Sequence, residues 1–251
     1  LSPLLAKMTL AVLALRLVVC TLALPMFLLN LLGLWSWVCK KCFPYFLKRF
    51  SVMYNEQMAS QKRELFSNLQ EFAGPSGKLT LLEVGCGTGA NFKFYPPGCR
   101  VTCIDPNPNF EKFLFKSVAE NRQLQFERFV VAAGEDMHQV TDGSVDVVVC
   151  TLVLCSVKNQ EKILREVCRV LKPGGAFYFM EHVADERSTW NYFWQQVLDP
   201  VWFLFFDGCN LTRESWKTIE QASFSKLKLQ HIQAPLSWTL VRPHIYGYAV
   251  K

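Results

Sequence analysis

Charge is scarce in this chain: Asp, Glu, Lys and Arg make up 19% of its 251 residues, and histidine occurs only four times. The 27 basic residues exceed the 21 acidic ones by a small, dispersed margin, and no basic patch is interleaved with aromatics, so nucleic acid is not an expected partner. No small-x-small cleavage site follows the first apolar stretch, which argues against a cleaved secretory signal and for an uncleaved anchor. No second Cys or His pair lies near Cys39-Lys40-Lys41-Cys42, so that pair predicts no zinc site despite its ligand spacing, and no metal is expected. Palmitoylation beside a membrane suits it better.

What the chain does have is a long apolar run at its start. Between Met8 and Val38 the only formal charge is Arg16. A helix needs about 20 apolar residues to cross a bilayer core. This stretch is longer, but Pro25 and Asn30 interrupt it, so a kinked or hairpin anchor is as compatible as a straight span. Trp35, Trp37 and the cluster Lys40, Lys41, Lys48 and Arg49 would then sit at the interface. The expected organisation is an anchor over residues 1–49 and one catalytic domain over 50–251.

The most informative motif is Leu82-Glu83-Val84-Gly85-Cys86-Gly87-Thr88-Gly89, an apolar strand running into a glycine turn. Glycines at alternate positions bare the backbone where a ligand would touch it, and Ala90-Asn91-Phe92 is expected to open a helix over that ligand. An ordinary tight turn would read the same way. The spacing is not the G-x-G-x-x-G of dinucleotide sites. Glu83 would repel a pyrophosphate but suits a ligand carrying an ammonium and a sulfonium, which describes S-adenosylmethionine.

The next apolar strand, Val101 to Ile104, ends in Asp105, placed to take both ribose hydroxyls, with Pro106 and Asn107 forming a rigid loop beside them. A third strand over Gln125 to Val131 leads to Gly134 and Glu135, a turn expected along the adenine. A β-branched run, Val145 to Cys150, predicts a central strand whose Cys150 closes the cofactor side. Helix-spaced apolar residues over Gln160 to Leu171 stop at Lys172-Pro173-Gly174-Gly175, and a strand over Ala176 to Met180 follows. Alternating strands and helices specify an α/β, doubly wound, Rossmann-like sheet. Lys226 to Ile232 and Ile245 to Val250 read as two edge strands, giving the sheet an antiparallel edge.

Together the acid-glycine turn, Asp105, Asp142-Gly143-Ser144-Val145-Asp146 and Leu171-Lys172-Pro173-Gly174-Gly175 resemble the class I S-adenosylmethionine-dependent methyltransferases. From about Met8 to Lys251 the chain further resembles the microsomal alkyl thiol methyltransferases, on Leu34-Trp35-Ser36-Trp37, Asn55-Glu56-Gln57-Met58, Cys103 to Pro108, and Phe206-Asp207-Gly208-Cys209-Asn210. The first seven residues fall outside the match, and Met8 is the expected natural start. The resemblance implies an enzyme of the endoplasmic reticulum membrane and lipid droplet, its catalytic domain facing the cytosol, that methylates small hydrophobic thiols. Sulfur rather than oxygen or nitrogen rests on that resemblance alone. A membrane or droplet-surface scaffold using the fold for binding or assembly is the alternative, as is a lipid, metalloid or protein-lysine acceptor.

A thiol of pKa about 8.5 is only a few per cent ionised at neutral pH, so a base or cation should sit near the acceptor. His182, which with Glu181 ends the fifth strand, is the first candidate and Asp207 the second; a structural histidine is the plain alternative. Cys86, Cys103, Cys150 and Cys168 fall in core elements, where reduced cysteine acts as a small apolar residue. Cys155 and Cys209 approach the site, which keeps arsenite as a minor acceptor. The aromatic insertion from Trp190 to Phe206 would wall a substrate pocket, touch lipid or form a packed cap. Helix-compatible Phe50 to Phe72 is expected to cover the cofactor, with Tyr54 and Asn55 as lid contacts.

Overall fold

Strand residues here alternate between two apolar cores, and that alternation sets the architecture. In the computed structural model, which describes residues 3–251 and side chains from residue 9 onward, seven strands form one sheet. Strands β1 (Thr80–Val84), β2 (Arg100–Asp105), β3 (Gln125–Val131), β4 (Val145–Thr151) and β5 (Leu171–His182) are mutually parallel. Leu81, Val101, Val147, Val149, Tyr178 and Met180 pack into one face; Leu82, Val84, Ile104, Val148, Phe177 and Phe179 pack into the other. Burial on both faces is why these strands read as continuous apolar runs.

The strand order is β3-β2-β1-β4-β5-β7-β6. It reverses between β1 and β4, and ligands of open α/β sheets bind at such a switch point, beyond the carboxyl ends of the strands. The two C-terminal strands do not share the edge. Strand β6 (Lys226–Gln233) forms it, while β7 (Pro243–Val250) is inserted between β5 and β6, antiparallel to both. The burial explains this order: β6 exposes Lys226, Lys228 and Gln230 and half-buries Leu227, Leu229 and Ile232, whereas β7 buries Ile245, Tyr246 and Ala249. A lysine-studded strand blunts an exposed edge.

The N-terminal apolar run folds as α1 (Pro3–Leu22) and α2 (Leu24–Leu31), bent by 65° at Ala23, with Pro25 in the first turn of α2. Proline is tolerated there because the first turn needs no N–H donor. Helices α3 (Leu34–Gln57) and α4 (Ala59–Phe66) follow, so the expected boundary between residues 49 and 50 falls inside one continuous helix. Leu1 and Ser2, the start of the expected extension, and the side chain of Met8 lie outside the described residues.

Three more helices flank the sheet: α5 (Glu111–Glu120), α6 (Gln160–Val170) and α8 (Ser215–Gln221). The Asn159 side chain caps α6 by accepting from the Lys162 N–H, and Ile163, Leu164, Val167 and Val170 form its buried face. Helix α7 (Trp190–Phe205) lies against α1, where Val12 packs with Phe193 and Val197. The helix expected after the glycine turn is only a 3-10 turn over Phe92–Phe94. Pro96 and Pro97 follow within four residues, and a continuing helix would lose its backbone donors there.

Candidate active site

The glycine turn leaves β1 at the switch point. The N–H groups of Gly85 and Cys86 both donate to the Ile104 carbonyl, so the turn is bolted to β2. Gly85 and Gly87 have φ of +65° and +50°, a region that disfavours side chains, and a Cβ on Gly85 would meet Val153 at 2.4 Å. Asp105, at the end of β2, is 5% exposed; its carboxylate accepts from the Gly87 N–H at 3.0 Å and the Asn107 N–H at 2.9 Å. Burial raises its pKa to about 6 against those two donors, with Asp207 adding repulsion. Each carboxylate oxygen retains a lone pair, so these residues fit an adenosine ribose whose hydroxyls donate.

Helix α3 lies across this end of the sheet like a strap. Asn107 donates to the Lys40 carbonyl and Asn55 to the Ala90 carbonyl, while Leu47 faces Gly87. The segment read as a basic interfacial flank therefore also covers the cofactor turn.

Glu83 has protein partners on both oxygens. Asn91 donates to one at 2.8 Å and Tyr95 to the other at 2.8 Å. Asn91 also donates to Thr151 and accepts from Lys62, whose ammonium reaches Asn91 Oδ1 at 2.6 Å and Asn55 Oδ1 at 2.7 Å. Burial drives the Lys62 pKa down to about 7, offset in part by Glu83, and drives the Glu83 pKa up to about 7 against the Tyr95 and Asn91 hydrogen bonds. Glu83 thus fixes the turn through Asn91. Lys62 escaped the sequence reading, yet its signal is there: it shares an apolar helical stripe with Met58, Leu65, Phe66 and Leu69.

Beside the turn, past the ends of β4 and β5, is a cavity of about 80 Å³. Phe43, Phe46, Leu47 and Phe50 of α3, Trp202 and Phe206 of the aromatic insertion, and Leu236 and Trp238 form its walls. Its floor carries Cys155, His182 and Cys209, with Tyr54 and His244 alongside. His182 Nε2 lies 2.8 Å from Cys209 Sγ, and its Nδ1 has no partner among the described residues. Burial lowers its pKa, but Cys155, Glu181 and Asp199 outweigh that and leave it raised. His244 bonds Tyr54 through Nε2 at 3.0 Å, and burial beside His182 pushes its pKa down to about 3. Glu181 holds the loop that carries Cys155: its carboxylate accepts from the N–H groups of Val153 and Leu154.

Comparison with known proteins places this geometry in a family. A methyltransferase domain model matches residues 82–179, the span from β1 through β5. Human thiol S-methyltransferase TMT1A is 85% identical over 244 residues, covering 97% of this chain and 100% of the relative. The chain belongs to the thiol S-methyltransferases. Human thiol S-methyltransferase TMT1B is 59% identical over 237 residues, 94% of this chain and 97% of that one. The fold is shared more widely. An S-adenosylmethionine-dependent methyltransferase from Aquifex aeolicus aligns with a TM-score of 0.54 at 17% identity, over 82% of this chain and 97% of that one. Geranyl diphosphate C-methyltransferase from Streptomyces coelicolor aligns at 0.57 and 14% identity, over 76% and 75%. S-adenosylmethionine is accordingly the cofactor of this thiol S-methyltransferase.

The remaining expected site residues divide. Pro106 is exposed, and Asn107 is buried as the tie between the loop after β2 and α3. Cys86 contributes its backbone to the turn, while its side chain is buried against Cys103. Gly134 is explained by packing, since a Cβ there would come within 2.6 Å of Ile163 and 2.8 Å of Val84. Glu135 accepts from the N–H groups of Lys158 and Asn159 at 2.7 and 3.4 Å and holds the approach to α6. Cys150 does not face the cofactor side; it belongs to the apolar core with Leu82, Ile104 and Phe179. The period of two decides this, because its neighbour Thr151 is the residue that bonds Asn91. Asp207, in the left-handed region at φ +48°, lies outside the cavity lining, and burial raises its pKa against the pull of Lys40. His182 and Asp207 are therefore not brought together.

Proposed function

We propose that this methyltransferase transfers its methyl group to the sulfur of small hydrophobic thiols, bound in the cavity at the ends of β4 and β5. One observation carries the reading: an apolar cavity next to the cofactor turn, walled by aromatic rings and ending on an imidazole between two thiols. The thiol S-methyltransferase names of TMT1A and TMT1B support it. S-adenosylmethionine brings a methyl already electrophilic on a sulfonium, so the chain's task is to align the nucleophile and exclude water. Phe46, Phe50, Trp202 and Trp238 exclude water, and a dry site favours a thiolate and a sulfonium collapsing into neutral thioethers. His182 favours the ionised sulfur. Asp207, beside Lys40, remains on the cofactor side.

The reading is tested with a series of straight-chain thiols. Each added methylene is worth about 0.8 kcal/mol of burial, so kcat/KM rises about fourfold per carbon until the cavity is full and then falls. A flat series would contradict an apolar acceptor site.

We further propose that the enzyme works on the cytosolic surface of the endoplasmic reticulum membrane and of lipid droplets. Among the described residues no single helix is long and apolar enough to cross a bilayer, but the bent pair Thr9–Leu22 and Leu24–Leu31 passes together. Leu10, Leu17, Leu22, Leu31 and Leu32 are each more than two-thirds exposed, and α7, which packs on α1, adds exposed Trp190, Trp194 and Phe203. Such a surface suits lipid. Lys41 lies over the Trp37 ring at 3.9 Å, a pairing suited to a headgroup layer. A hydrophobic thiol would then enter from the bilayer.

A further inference from the structure

We infer that Cys155, His182 and Cys209 hold a zinc ion whose open fourth position takes the sulfur of the substrate. The inference rests on the thiol-acceptor reading above and deepens it. The three donor atoms lie within 4.8 Å of one another, and all three residues are buried. A tetrahedral zinc with Zn–S near 2.3 Å and Zn–N near 2.0 Å wants its donors roughly 3.5–3.8 Å apart, so His182 Nε2 and Cys209 Sγ, 2.8 Å apart as a hydrogen bond, would move slightly apart to admit the ion. Two cysteines and one histidine, with one position left open, are a known donor set of catalytic zinc.

The surroundings are built for such a site. Asn210, next in the chain to Cys209, ties the two cysteine loops together: its backbone N–H and its Nδ2 both donate to the Cys155 carbonyl at 3.0 Å. Trp202 Nε1 donates to Cys209 Sγ at 3.2 Å, a contact that suits a thiolate better than a thiol. The cluster faces an apolar cavity, where a cation without anionic ligands would be costly and one held by two thiolates is neutral.

Zinc explains how a thiol is ionised in a dry cavity. When the substrate sulfur takes the fourth position, its proton is released to water and the thiolate stays on the metal. The carbon–sulfur bond to that thiolate forms as the bond from methyl to sulfonium breaks, and the breaking pair remains on the cofactor's sulfur. The anionic zinc-thiolate and the cationic sulfonium thus become two neutral thioethers. A thioether is a poor zinc ligand and leaves. In this form His182 is a ligand and not a proton acceptor.

The test is the metal content of the purified full-length chain, together with the spectrum of the cobalt-substituted protein. About one zinc per chain is expected, lost in Cys155→Ser and Cys209→Ser and kept in Asp105→Ala. The cobalt form should show a thiolate-to-cobalt band that shifts when an alkyl thiol is added. A free thiol is about 3% ionised at pH 7, so chelation should lower the rate about thirtyfold, and added zinc should restore it. Folded wild-type chain that methylates thiols with neither zinc nor the cobalt band overturns the metal and leaves the acceptor standing. Bound zinc without methylation on sulfur overturns the acceptor, and with it the role given to the ion. The wild-type spectrum decides even where a cysteine variant does not fold.

Discussion

Lys62→Met tests whether the buried network under the glycine turn positions the cofactor site. The lysine is 2% exposed, and its ammonium reaches Asn55 Oδ1 at 2.7 Å and Asn91 Oδ1 at 2.6 Å. Methionine fills most of the space of the stem but donates nothing. Two buried acceptors lose a partner, at about 1–3 kcal/mol each. Part of that is returned, because the variant no longer desolvates an ammonium. A net loss of about 2–3 kcal/mol remains, which at about 2–4 °C per kcal/mol for a chain of this size lowers Tm by roughly 5–10 °C. Asn91 is also freed to turn away from Glu83 and Thr151, so KM for S-adenosylmethionine should rise about tenfold while kcat changes less. Adding Glu83→Gln should cost less than the two single losses together, by at least about 1 kcal/mol, since the groups share Asn91. Thermal unfolding and initial rates in detergent measure both effects. A Tm within about 1 °C of wild type, or strictly additive losses, would refute the reasoning.

Three further outcomes follow from the same geometry. Asp105→Ala should abolish cofactor binding and methyl transfer but leave membrane attachment unchanged, as read by calorimetric titration and microsome flotation; full activity would put the ribose elsewhere. Burial raises the Asp105 pKa to about 6, above the ordinary 3.8, so the carboxylate that accepts from the ribose is lost as pH falls through about 6. Affinity for S-adenosylmethionine should therefore be about tenfold weaker at pH 5 than at pH 7.5, and a flat profile would exclude Asp105 as the acceptor. Leu28 and Leu29 are exposed, so changing both to Glu removes no core contact, yet each charge costs about 2.5–3.5 kcal/mol in an apolar helix centre. The double variant should leave microsomes, and its retention would count against α2 as part of the anchor.

The strands and the glycine turn were legible because their signals are local. A β-branched run buried on both faces, a glycine turn and an acid at a strand end can each be read in under ten residues. What escaped was non-local. That β7 is interior and β6 the edge depends on pairing across the sheet, although the lysines of β6 hinted at it. That Cys150 is a core residue was legible, but which of the two cores it enters was not, because its strand is apolar on both sides and its period carries little contrast. The partners of Glu83, Asn91 and Tyr95, lie within twelve residues of it, but Lys62, which holds Asn91, comes from α4 and nothing near the motif announces it. His182 and Cys209 are 27 residues apart and meet only through the insertion that carries α7. The same holds for α3, whose place over Gly87 belongs to tertiary packing.

The most direct test of the central claim is methyl transfer from labelled S-adenosylmethionine to matched alkyl thiols, alcohols and amines of equal chain length. The account predicts label on sulfur alone. Label on oxygen or nitrogen at a comparable rate would contradict it.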